Sequence, residues 1–141
     1  MIRFSDNSSE IVPLWQQAFG DSADEIMFFI ENVKDAKCLM YYADGKPASM
    51  IYLVKCVADG DDAYYVYAAC TAKGHESKGY MTKLIDYCFD EGYTVCLIPA
   101  SDSLVEFYSR RGISRSIPIE SIAFSQSEEI IEYLLEGYPC L

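Results

Sequence analysis

The sequence predicts an α+β (mixed α/β) domain built on a mainly antiparallel central sheet with flanking helices. Three observations lead there. Three β-rich runs follow one another across two turn signals, Asp44-Gly45 and the stretch Ala58-Asp59-Gly60-Asp61-Asp62. From Gly79 the apolar period changes to that of a helix. A short buried run, Thr94 to Pro99, then leads into a second helical pattern, so the order strand–loop–helix–strand contains one parallel crossover.

The elements follow in order. Ile11 to Phe19 is expected to be helical, with Pro13 in its first turn, where a missing N–H costs nothing. Ser22 followed by Glu25 forms a capping box, opening a helix that carries Ile26, Phe29, Ile30 and Val33 at helical spacing. The two turns then divide three antiparallel strands, the last of them Ala63 to Thr71. Met81, Leu84, Ile85, Cys88 and Phe89 mark one face of a helix ending near Gly92. Ser101 or Asp102 caps the next helix, and Gly112 lies just past its end. Beyond it come one clear strand and a terminal helix capped by Ser127. No Gly-x-Gly-x-x-Gly follows a strand, so a dinucleotide-binding domain is disfavoured.

Composition narrows the function classes. Hydrophobic residues make up 51% of the 141, which excludes a disordered chain. No repeat or Pro/Gly-rich linker divides the sequence, so residues 1–141 are expected to form one domain. No apolar run approaches the roughly 20 residues of a membrane helix, and the N-terminus turns polar too soon for a secretory signal. Six cysteines stand singly and His75 is the only histidine, so a metal site has almost no ligands to draw on. Isolated cysteines in apolar stretches fit a reducing, cytoplasmic setting. A net charge of -11 speaks against nucleic-acid partners. Yet Lys73, Lys78 and Lys83 fall in one short segment, and Arg110, Arg111 and Arg115 in another, where a small polyanion could use them.

Two stretches point further. YVYAACTAKGHESKGYMTKLIDYCF resembles the acyl-CoA-binding strand, loop and helix of the GNAT superfamily of N-acetyltransferases. CLIPASDSLVEFYSRRGI resembles the strand and helix that follow, where members often read P-A-N-x-x-L-x-x-F-Y-x-x-x-G-F. Upstream, LWQQAFGDS resembles the opening helix of many bacterial members, so the resemblance runs from Leu14 to Gly112. It implies a splayed parallel strand pair, a bulged strand before the loop, and acetyl-CoA as acyl donor.

The resemblance also implies site residues. The loop pattern Q/R-x-x-G-x-G/A falls on Glu76, Ser77, Lys78, Gly79, Tyr80 and Met81, at a helix N-terminus suited to a pyrophosphate. Gly79 keeps the central glycine, whereas Glu76 replaces Arg or Gln and Met81 replaces a small residue. Ala69, Cys70 and Thr71 fall where the family's strand backbone holds pantetheine and polarises the thioester carbonyl. Tyr108 matches the tyrosine that protonates the departing thiolate, and Ser101 stands where an Asn contacts pantetheine. The implied activity is transfer of an acetyl group from acetyl-CoA to an amine, on a small molecule or peptide, by direct attack. The alternative is a non-catalytic acyl-CoA-binding or sensing module with a degenerate loop. Members usually close with two strands; either Ile113 to Phe124 holds both, or a partner chain in a homodimer supplies the missing pairing.

Overall fold

The computed structural model of the chain describes residues 1–99 and 102–135. The elements are β1 (Ile2–Ser5), α1 (Ser8–Phe19), α2 (Ala23–Asn32), β2 (Ala36–Ala43), β3 (Lys46–Ala58) and β4 (Asp61–Thr71). They continue with α3 (Tyr80–Asp90), β5 (Val95–Cys96), α4 (Asp102–Ser109), β6 (Ile122–Ala123) and α5 (Glu128–Leu134). The sheet runs β1-β2-β3-β4-β5, with β6 paired to the end of β3. All neighbours are antiparallel except β4 and β5, which run parallel. The fold is therefore mixed α+β with the predicted mainly antiparallel sheet.

Both predicted hairpins form through two-residue turns. Asp44 and Gly45 have φ of 52° and 76°, and Asp59 and Gly60 have 50° and 85°. Positive φ at both central residues gives a turn whose twist matches that of the strands. Ser22 and Glu25 make the reciprocal capping bonds of the predicted box, each 3.1 Å long. Ser127 caps α5 through the N–H of Ile130.

One local reading is corrected, one element is added, and one of two alternatives falls. Helix α1 starts earlier than expected because the Asn7 side chain accepts the Ser9 N–H, so Pro13 lies inside the helix rather than in its first turn. Ser9 and Pro13 are both exposed, on the solvent side of α1, where a missing helical hydrogen bond costs least. The N-terminal residues form β1, an edge strand in register with β2 from Ile2↔Tyr41 to Ser5↔Cys38. At the other end, Ile113 to Phe124 contains one two-residue strand. It pairs with Val57 and Ala58 of β3, beyond the point where β2 stops, and no described strand pairs with the outer edge of β5.

Strand alternation sends side chains to two cores. On one face, α1, α2 and α5 bury Ile11, Trp15, Ile26, Phe29 and Ile130 against β2 to β4. On the other, Leu84 and Cys88 of α3 pack on Leu39, Ile51, Leu53 and Val66. Phe29 is fully buried among the rings of Trp15, Tyr52 and Tyr67, at centroid distances of 5.4, 5.3 and 5.1 Å. Burial of one such side chain stabilises by about 1.5–3 kcal/mol. Among the described residues no helix is long and apolar enough to cross a membrane.

Candidate acyl-transfer cleft

Strands β4 and β5 are paired only at Tyr64↔Val95 and Tyr65↔Cys96. Beyond that point they part, and a cleft of about 400 Å³ opens between Val66 to Ala69 on one side and Leu97 to Pro99 on the other. A bulge in β4 accompanies the parting. Met50 faces Cys70 and Tyr52 faces Tyr67, so Ala68 and Ala69 together oppose the single residue Ile51. Ala68 takes up the extra residue with φ of 53°. A bulge takes backbone groups out of the ladder and re-aims the chain. It also shifts the phase of the strand: Tyr65 and Cys70 both join the core on the α1–α2 face although five residues separate them.

The residues suggested for pantetheine separate here. Ala69 lines the cleft, while Cys70 and Thr71 are not among its lining residues. Cys70 is buried with its sulfur 3.9 Å from the Leu14 carbonyl oxygen. Burial pushes its thiol up to about 12, so it stays protonated and unreactive at neutral pH. The Thr71 hydroxyl lies 2.6 Å from that of Ser49 on β3. Ser101 lies outside the described residues.

The loop after β4 is held to α1 by the Lys73 N–H, which donates to Gln17 Oε1 at 2.8 Å. The Glu76 carboxylate accepts the Gly74 N–H at 2.9 Å. That bond gives the acid at the position of the usual Arg or Gln a job inside its own loop. Gly79 is the N-cap of α3, with φ of 79°, and no side chain caps the helix. The amides of Tyr80, Met81 and Thr82 stand in the first turn, where the helix offers them no acceptor. Nothing lies within 4 Å of where a Cβ on Gly79 would stand, so backbone and anion can approach there. The side chains of this turn face elsewhere. Tyr80 stacks on Tyr41 at 4.2 Å and 17°, and Met81 packs into the α3-face core. Ser77 and Lys78 are exposed beside them, Ser77 with φ of 63°. The His75 imidazole leans toward the Tyr80 ring at 6.0 Å, and its buried Nδ1 has no hydrogen-bond partner among the described residues.

The two cationic stretches do not act as one group. Arg110 pairs with Glu106 along α4, and Arg115 pairs with Asp59 beside the β3–β4 turn. Arg111 is the arginine brought to the start of α3: its Nε donates to Thr82 Oγ1 at 2.6 Å, and a second nitrogen donates to the Phe107 carbonyl at 2.7 Å. Its guanidinium also lies 3.5 Å from the centroid of the Phe107 ring. Nothing in the spacing of the Arg110-Arg111 pair distinguishes one from the other. The contact depends on how α4 packs beside α3.

Tyr108 is 8% exposed and lines the same cleft from α4. The opposite wall was not anticipated. Trp15, Phe19 and Asp21, from α1 and the turn after it, complete the lining together with Tyr65 and Tyr67. Trp15 Nε1 donates to Asp21 Oδ2 at 2.9 Å. A lone tryptophan six residues before an aspartate was the only sequence signal, and it carries no fixed meaning without the fold. A second, larger cavity of about 770 Å³ lies on the far side of β5, between Phe89, Tyr93, Ile113 and Ile117.

Comparison with family models and with curated protein sequences finds no match. Solved structures do resemble the chain. Glucosamine-6-phosphate N-acetyltransferase from Arabidopsis thaliana superposes with a TM-score of 0.61 at 20% identity, covering 84% of this chain and 95% of that one. A ribosomal-protein-alanine N-acetyltransferase from Brucella melitensis gives 0.62 at 16% identity, covering 82% and 93%. A GCN5-related glucosamine N-acetyltransferase region of a fungal multi-domain β-N-acetylglucosaminidase gives 0.64 at 16% identity; there the match spans 79% of this chain but only 16% of that one. The chain has the fold of the GNAT acetyltransferases.

Proposed function

We propose that this chain, as a single domain over residues 1–141, is an acyl-CoA-dependent N-acyltransferase that moves an acetyl group from acetyl-CoA to an amine. The observation that carries the reading is the bulged, splayed β4–β5 cleft, whose strand β4 leads through one loop to an uncapped helix start at Gly79. Acetyl-CoA supplies the acetyl group in activated form, as a thioester. The Tyr80, Met81 and Thr82 amides would receive its pyrophosphate, aided by the dipole of α3, with Ser77, Lys78 and Arg111 at the rim. Backbone groups freed at Ala68 and Ala69 would hold the pantetheine arm and draw negative charge from the thioester carbonyl.

The cleft lies where the sheet parts, between the α3 face and the α1–α2 face, so donor and acceptor can enter from opposite sides. The amine nitrogen then forms its bond to the carbonyl carbon as the carbon–sulfur bond breaks. Tyr108 gives its hydroxyl proton to the departing sulfur, the amine loses a proton to water, and water returns a proton to the Tyr108 oxygen. The neighbours of the same fold named for a sugar phosphate and for a protein amine support an amine acceptor in general. The setting proposed for it is a reducing, cytoplasmic one, on the ground that its cysteines stand singly in apolar stretches of the sequence.

Calorimetry with acetyl-CoA tests the donor site. Gly79→Ala sets a Cβ in the open space at the helix start and strains a backbone at φ of 79°. It should weaken binding at least about tenfold, the order of one lost favourable contact to a charged group. Equal affinity of the two proteins, or no heat with the wild type, would remove the proposal. Thiol release with a panel of amines then separates an enzyme from a module that binds acyl-CoA without turnover.

A further inference from the structure

The α1–α2 wall of the cleft is aromatic, formed by Trp15, Phe19, Tyr65 and Tyr67, and it holds one charged side chain. That side chain is Asp21. It is the single residue between Gly20 (the C-cap of α1 at φ 76°) and Ser22 (the N-cap of α2). Helix ends on both sides therefore fix its backbone. One carboxylate oxygen is held by the Trp15 indole N–H. The indole is itself 2% exposed and locked among the rings of Phe29, Tyr52 and Tyr67. No ion pair among the described residues involves Asp21.

A carboxylate fixed on an apolar wall, without an ion-pair partner among the described residues, is a ready partner for an ammonium group. The exposed Phe19 ring in the same lining adds to the attraction. An anionic acceptor would meet only repulsion, because the cleft lining contains no lysine or arginine.

We infer that Asp21 is the specificity-determining residue of the acceptor site, anchoring an ammonium group of the substrate. The inference rests on the acyltransferase reading for what happens next. The attacking nitrogen must be uncharged, whereas the group on Asp21 stays charged. One nitrogen cannot serve both purposes at once. The fitting acceptor therefore carries at least two amino groups, one held as ammonium and one free to attack: a diamine, a polyamine or an amino sugar of several amines.

Asp21→Asn is the informative variant, because its amide oxygen still accepts the Trp15 N–H while the charge is gone. The probe is 1,4-diaminobutane, titrated calorimetrically into each protein with CoA present, with Trp15 fluorescence as a check on the wall. Wild type should bind the diamine, and the variant should bind it about tenfold more weakly, with unchanged tryptophan emission and unchanged affinity for acetyl-CoA. In thiol release the loss should appear in KM for the diamine, with kcat nearly preserved. Equal diamine affinity in the two proteins, or none in the wild type, overturns the inference. If acetyl-CoA fails to bind while the diamine discriminates between them, the acyltransferase reading falls and the ammonium site stands.

Discussion

Tyr108 reaches the cleft because the helical period of α4 turns Leu104 and Tyr108, four residues apart, to the same side. Tyr108→Phe keeps the ring and its packing against Phe107 and removes only the oxygen. If that oxygen serves the departing thiolate, acyl-CoA affinity stays intact while turnover falls by up to about 10²-fold, the scale of one general acid. Steady-state kinetics together with calorimetry checks this; equal turnover would assign Tyr108 to packing alone. At this scale legibility follows locality. Gly79 was visible because its role depends on a local turn and a helix start. Asp21 and Arg111 were not, because each acquires its meaning from a partner on another element, Trp15 for the first and Thr82 for the second. The pantetheine triplet slipped for a related reason. A bulge at Ala68 advances the strand by one residue, and no residue type in Tyr67-Ala68-Ala69-Cys70 announces where the extra residue sits.

Among the elements, those with a strong local signal were readable from sequence: α2 and α5 from their caps, α3 from its apolar period, and the two hairpins from their turn residues. Helix α1 was placed too late because Pro13 was given more weight than the Asn7 cap preceding it. Strand β1 was missed because its four residues are half-polar, and an edge strand gains its order from β2 rather than from its own pattern. The end of the chain departs from the two closing strands that the family resemblance implies: β6 joins β3, and the outer side of β5 borders the larger cavity. The capping box of α2 gives a prediction at this scale. Ser22→Ala removes the oxygen that accepts the Glu25 N–H, next to the residue proposed to meet the acceptor. Stability should drop by about 1 kcal/mol in urea unfolding, with the slope unchanged. Because Asp21 takes its position partly from this cap, diamine binding should weaken as well. An unaltered midpoint would show that the first turn of α2 is held by packing and not by its cap.

For the molecule as a whole, 22 acids face 11 cations, and this balance governs stability more than any single pair. The described ion pairs, Arg3–Glu10, Arg110–Glu106 and Arg115–Asp59, are largely exposed and individually weak. Salt screens these attractions, which lowers stability slightly. It also screens the mutual repulsion of a net charge of -11, which raises stability. With a net charge of -11, repulsion is expected to outweigh attraction at pH 7. Raising sodium chloride from about 20 mM to about 500 mM shortens the screening length several-fold. The melting temperature should then rise by about 2–5 °C, the shift that roughly 1 kcal/mol produces in a chain of this size. The sign should depend on pH. Near the isoelectric point of about 4.3 the net repulsion is gone, and the same salt step should leave the melting temperature flat or lower it. Acid has a second effect. The Ser5 and Tyr42 hydroxyls donate to Glu10 and hold its carboxyl below the usual range, and the Ser22 N–H does the same for Glu25. Groups with lowered folded pKa values stabilise above their unfolded values near ~4.3 and lose that contribution as pH falls through the folded ones. Calorimetric melts at pH 7 and pH 4.5, each at low and high salt, decide the matter. A melting temperature that falls with salt at pH 7 would mean that the local ion pairs, and not the global charge, dominate the electrostatics of the fold.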